Sequence, residues 1–156
     1  DSLGNEGKTA AGDVQVMSAG TGIQHSEFNR EAGPCRLFQI WILPDSRGHQ
    51  PSWGTRPFPK ADRSGRFVTL ASGMAGDEDA LPIHANARVA GAFAKAGDVL
   101  RYATASDRHV YLVPTTGRVK IGDVIAEARG GVAITGLDMI EITVIEDSEL
   151  VLVDAA

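Results

Sequence analysis

The chain has 156 residues and a formal net charge of −5, from 15 basic and 20 acidic side chains. With 43% hydrophobic and 22% charged residues it can bury a core of its own, which excludes wholesale disorder. No apolar run approaches the roughly 20 residues of a membrane helix, the acidic balance argues against nucleic acid as a direct ligand, and the single Cys35 excludes an internal disulfide framework or a cysteine-built zinc cluster. One thiol fits a reducing cytoplasm. The sequence opens at Asp1 with no initiator Met, basic n-region or apolar h-region, so a piece of a longer protein is expected.

In chain order, residues 14–17 (VQVM) predict a short strand, and 37–43 (LFQIWIL) a longer one, apolar nearly throughout. Phe38, Ile40 and Trp41 in that run are expected to pack in a core. From Pro44 to Gly65 the chain carries Pro44, Pro51, Pro57 and Pro59 with Gly48 and Gly54 between them. Proline cannot donate to a ladder, so this stretch reads as an irregular crossing, with Trp53 and Phe58 pinning it onto a barrel. Strand-like pieces follow at short spacing, at 66–70, 87–95, 99–102, 110–113, 118–121, 132–134, 139–145 and 149–153. Turn signals separate them at 96–98, 115–117, 122–123, 130–131 and 146–148. Only one or two helical turns, near 72–80, are expected. Many short strands with such turns predict an all-β sandwich or barrel.

The densest polar cluster runs from Ser18 to Asn29. Gly20 and Gly22 let the backbone turn tightly before a new extended segment. His25 and Glu27 are two apart, so on a strand they project from one face. An imidazole and a carboxylate on one side of a barrel suit Fe, Mn, Ni, Cu or Zn without choosing among them; a strand with two solvated polar groups is the plain alternative. Of the other histidines, His49 is expected to be exposed in the crossing, His84 to serve a structural or interface role, and His109 to lie on the surface. Cys35 reads as a small, half-buried hydrophobe, and Asp77-Glu78-Asp79 as a solvated loop.

Residues 12–27 (GDVQVMSAGTGIQHSE) closely resemble the signature of the pirin family. The turn Asp1-Ser2-Leu3-Gly4-Asn5 and the run Phe38 to Pro44 are similar to the family's preceding hairpin and its next strand. The resemblance implies two cupin barrels in tandem. Residues 1–44 would be part of the N-terminal cupin, 45–65 a linker, and 66–156 a complete, metal-free C-terminal cupin. In the family, three His and one Glu hold one metal, with Fe first among Fe, Ni, Mn, Cu and Zn. His25 and Glu27 match the third His and the Glu; the other two ligands belong to a His-x-His motif upstream of the Asp-Ser-x-Gly-Asn turn. Several bacterial members are associated with quercetin 2,3-dioxygenase activity. The resemblance therefore implies flavonol ring cleavage by dioxygen, with Glu27 accepting the substrate's proton, and expects little activity from this chain alone. The alternative is a non-catalytic protein-binding or regulatory module, since mammalian members are associated with transcription regulators. Partners implied are a flavonol-like small molecule and a second copy of the chain, paired through exposed N-terminal strands.

Overall fold

A computed structural model describes residues 1–156. Ten strands and a single 3₁₀ turn carry the fold. They are β1 (Asp13–Ser18), β2 (Ser52–Pro57), the turn Lys60–Arg63, β3 (Val68–Ser72), β4 (Leu81–Pro82), β5 (Ala87–Ala94), β6 (Val99–Ala103), β7 (His109–Ile121), β8 (Val124–Ala126), β9 (Val132–Thr135) and β10 (Met139–Ala155). The cupin-type, all-β architecture is present.

β3 to β10 form one eight-stranded sheet folded on itself. Its hinge is a pair of long strands. The first half of β10 pairs β6 and its second half pairs β5, while β7 runs beside both halves. β9 joins the first half of β7 and β8 the second. Register shifts between Val144 and Leu150 mark where both strands bend from one layer to the other, as bulges do at the corners of packed sheets. Turns were expected at 115–117 and 146–148, but the strands run straight through. The two bend signals lie opposite each other across the ladder and curve the pair together. Glu149 N–H donates to Thr116 Oγ1 at 3.2 Å and Ser148 Oγ to the Glu146 carbonyl at 2.6 Å. Gly117 has φ +76°, and a Cβ there would overlap the Asp147 carbonyl and the Ser148 hydroxyl.

Burial alternates along β6 and β9 and through most of β7 and β10, whereas β5 is buried nearly throughout. Ala90, Ala92 and Ala94 of β5 meet Leu150 and Leu152 of β10, Val110 and Leu112 of β7, and Ile140, Ile142 and Val144 across the fold, in a core of 17 buried residues. Small alanines on β5 opposite large aliphatics let the two layers interdigitate. One end of this interior is polar. Asp154, fully buried, accepts hydrogen bonds from Tyr102 Oη and Thr104 Oγ1, each at 3.0 Å, and pairs with Arg108. Burial, and then the Asp154 charge, push the Tyr102 hydroxyl well above its usual pKa.

A second, smaller cluster of five buried residues, Phe58, Leu70, Ala71, Leu81 and Val89, lies outside the barrel. Val14 and Val16 of β1 and Ile42 pack against it, so the antiparallel β1–β2 ribbon is sealed onto the barrel's outer face. Phe58 thus pins the proline-rich stretch as expected, while Trp53 of β2 lies over Gly7 instead. That stretch is more regular than its prolines imply. Pro51 and Pro57 flank β2 rather than interrupt it, and Arg63 of the 3₁₀ turn, 4% exposed, reaches Glu149 Oε1 at 3.0 Å.

Several expectations are corrected. Residues 37–43 form no strand, because no strand of the chain runs beside them to share a ladder. Phe38, Ile40 and Trp41 are not core, at 49%, 39% and 85% exposed; only Ile42 of this run packs against the smaller cluster. The segment 72–80 holds turns rather than helix. The Ser72 hydroxyl takes the Met74 N–H at 3.0 Å and donates to Asp77 Oδ2 at 2.6 Å, capturing the local hydrogen bonds, and Gly76 sits at φ +91°. Asp77 is also not solvated. It faces Arg88 Nε at 2.6 Å, and that hydrogen bond holds its carboxyl below the usual range. Cys35, expected half-buried, is exposed.

Candidate metal half-site

β1 sets the site by its period of two. Val14 and Val16 face the outer cluster, so Gln15 faces away from it. Its amide is engaged at both ends: Oε1 accepts from Thr9 Oγ1 at 3.1 Å, and Nε2 donates to Glu27 Oε1 at 3.2 Å. After Ser18 the chain reverses through a turn closed by Gly22 N–H to the Ala19 carbonyl at 2.8 Å. Gly20, at φ +51°, lies so close to the His49 backbone that a Cβ would overlap the His49 carbonyl oxygen. Thr21 N–H donates to that same oxygen at 3.0 Å.

The segment leaving the turn is held by the N-terminal residues. Ser2 N–H donates to the Gln24 carbonyl at 2.7 Å, and Gln24 N–H to Ser2 Oγ at 3.0 Å. Asp1 Oδ1 in turn accepts from the N–H groups of Leu3 and Asn5, fixing the turn that presents Ser2. His25 lines a shallow, open depression with Asp1, Ser2, Gln24 and Ser26, into which no hydrophobic side chain projects. Both His25 and Glu27 are exposed. The structure therefore anchors His25 to the N-terminal turn and Glu27 to β1.

No three side chains among His, Cys, Asp and Glu are placed so that they could hold a metal ion together. The donor set is one imidazole nitrogen and one carboxylate. Those donor types suit a divalent first-row ion, and together they would supply two of the four positions of a tetrahedral site.

Two features beside it have only faint sequence signals. Gln15 is the polar residue of an otherwise apolar alternation, which marks a second face of β1 without saying what it meets. His49 is not free in solvent: its ring stacks on His84 at 3.9 Å and 7° between planes, and its side chain is 24% exposed. Asp45 Oδ1 lies 2.8 Å from His49 Nε2, and that contact, with the Ser46 hydroxyl, holds the Asp45 carboxyl below its usual range. Asp45 N–H also donates to the His84 carbonyl at 2.8 Å, so His84 takes the structural role expected of it. His109 opens β7 on the surface, as expected. No helix is long and apolar enough to cross a membrane.

A strand-built fold with this signature loop has close relatives. The family profile described as "Pirin" matches residues 1–42, and the profile "Quercetinase C-terminal cupin domain" matches residues 69–155. A "Pirin-like protein" of Caulobacter vibrioides is 59% identical over 156 residues, all of this chain and 67% of that protein. The "Quercetin 2,3-dioxygenase" of Escherichia coli K12 is 32% identical over 155 residues, 99% of this chain and 65% of that one. Among solved structures, YhhW from Escherichia coli superposes with a TM-score of 0.90 at 31% identity, covering 99% of this chain and 65% of its own. A structure of that bacterial pirin in complex with nickel(II) superposes at 0.86, covering 98% of this chain. The chain belongs to the pirin family. It spans about two thirds of the length of the relatives it matches.

Proposed function

We propose that this chain supplies two ligands, His25 and Glu27, and the acid–base carboxylate, Glu27, of a metal-dependent quercetin 2,3-dioxygenase of the pirin type. The observation that supports this reading is the likeness, at TM-score 0.86 and 31% identity, to a bacterial pirin in complex with nickel(II). In this reading residues 1–44 belong to the metal-binding cupin, 45–65 cross over, and 66–156 are the metal-free cupin. A bound divalent ion, with iron first and nickel next, would supply Lewis acidity toward a flavonol hydroxyl. The chain's residues do the rest. Glu27 takes the hydroxyl proton, Gly20 sets the height of the loop, and the N-terminal turn fixes the His25 backbone. The reducing cytoplasm is the compartment that suits an exposed, unpaired Cys35.

The test is metal uptake by the full chain in equilibrium dialysis against Ni²⁺. The double variant His25→Ala, Glu27→Gln takes up less nickel than the parent; equal uptake overturns the ligand assignment. In flavonol turnover by the whole protein, an undiminished rate for Glu27→Gln contradicts its role as base.

One observation favours a second reading, that of a protein-binding module. Residues 37–43 carry exposed Leu37, Phe38, Trp41 and Leu43 on a backbone without strand partners. Unpaired extended backbone recruits another strand, and a second copy of the same segment supplies one under twofold symmetry. A monomer by light scattering rules this out.

A further inference from the structure

We propose that Gln15 is a positioning residue for Glu27, selecting which carboxylate oxygen is offered for ligation. The inference deepens the metal reading above and rests on it.

The geometry is specific. Gln15 comes from a strand whose alternate residues, Val14 and Val16, are packed in the seam against the barrel, so its backbone is fixed. Its amide has one accepting and one donating end, and each is used. The Thr9 hydroxyl donates to Oε1 at 3.1 Å, which leaves Nε2 as the end that faces Glu27 Oε1 at 3.2 Å. Swapping the amide ends would set two acceptors against each other at Glu27, so the carboxylate selects the amide orientation and the Thr9 hydroxyl, which can donate to Oε1, holds it there. Glu27 has no other side-chain partner: the nearby acids Glu6 and Glu31 pair with Arg30 and Lys8 instead.

An exposed glutamate ordinarily samples many rotamers, and ordering it on binding a ligand costs free energy. The Gln15 hydrogen bond meets part of that cost before any ligand arrives, and it occupies Oε1. Oε2 is left as the oxygen without a hydrogen bond, so Glu27 would ligate through one defined atom. Partners of this kind commonly set metal affinity by one to two orders of magnitude.

The experiment uses the ¹⁵N-labelled full chain and Mn²⁺, read as paramagnetic broadening of backbone and side-chain amide signals. In the parent, broadening centres on His25, Glu27 and the Gln15 side-chain amide. Gln15→Ala raises the half-saturating Mn²⁺ concentration about tenfold, and Thr9→Val raises it by less, while the β7 and β10 amides keep their positions and report an intact barrel. In metal-free protein, Glu27→Gln shifts the Gln15 side-chain amide signals, which a merely structural Gln15 would not show. Wild-type Mn²⁺ affinity in Gln15→Ala overturns the positioning role and leaves the ligand assignment standing. Absence of broadening at His25 and Glu27 in the parent overturns the ligand assignment and this inference with it.

Discussion

Single side chains decide more here than their sequence context indicates. Asp77 sits in an acidic triplet, yet it turns inward to Arg88 Nε and the Ser72 hydroxyl, both at 2.6 Å. Its carboxyl is held below the ordinary 3.8, chiefly by the Arg88 hydrogen bond. A depressed value in the folded state contributes stability above the unfolded pKa, and that contribution is lost as pH falls through the folded value. Asp77→Asn should therefore cost about 2 kcal/mol near neutral pH. In urea titrations the gap between variant and parent should close once the solution is acidic enough to protonate Asp77 in the folded protein as well. A gap that persists in strong acid would place the effect in packing instead. The triplet hid this because charge runs read alike whether they face water or a guanidinium; only the position of Arg88 on β5 separates them.

At the scale of elements, the corner shared by β7 and β10 is the controlling feature. Gly117 combines a left-handed backbone with a space already filled by the Asp147 carbonyl and the Ser148 hydroxyl. Gly117→Ala adds backbone strain and a steric overlap, at least about 2 kcal/mol together. In a thermal melt that lowers Tm by about 4–8 °C; an unchanged Tm would mean the corner relaxes freely. The barrel strands were legible from the sequence because β-branched residues alternate and glycine-bearing turns divide them. The corner was not, since a bulge and a hairpin turn use the same residues and differ only in what stands across the ladder. The run 37–43 misled for the opposite reason. Its residues have strand propensity, but propensity without a hydrogen-bonded neighbour leaves a largely exposed segment outside any sheet. β2 was masked by the prolines that bracket it. Within the candidate site, His25 and Glu27 are proposed from the motif alone, whereas Gln15 needed its long-range partner.

Across the whole molecule the two hydrophobic clusters differ greatly in size, with 17 buried residues against five. Phe58 holds the smaller one, which carries the ribbon and, through Val14 and Val16, the strand that bears Gln15. Phe58→Ala should cost about 3 kcal/mol and loosen the ribbon before the barrel. Hydrogen exchange then quickens at Asp13–Ser18 and Ser52–Pro57, while the amides of Leu150 and Leu152 stay protected. Equal acceleration in both regions would show one cooperative unit.

The register also dictates how the chain bears force. β3 and β10 flank β5, each antiparallel to it, and so run parallel to one another. Tension entering at Val68 and leaving at Ala155 pulls these strands lengthwise in opposite directions, loading many hydrogen bonds at once. In the ribbon, Asp13 stands opposite Pro57, so tension on those two residues opens the ladder one pair at a time. Stretched from its ends, the molecule gives way first where the candidate site lies and last where the barrel closes.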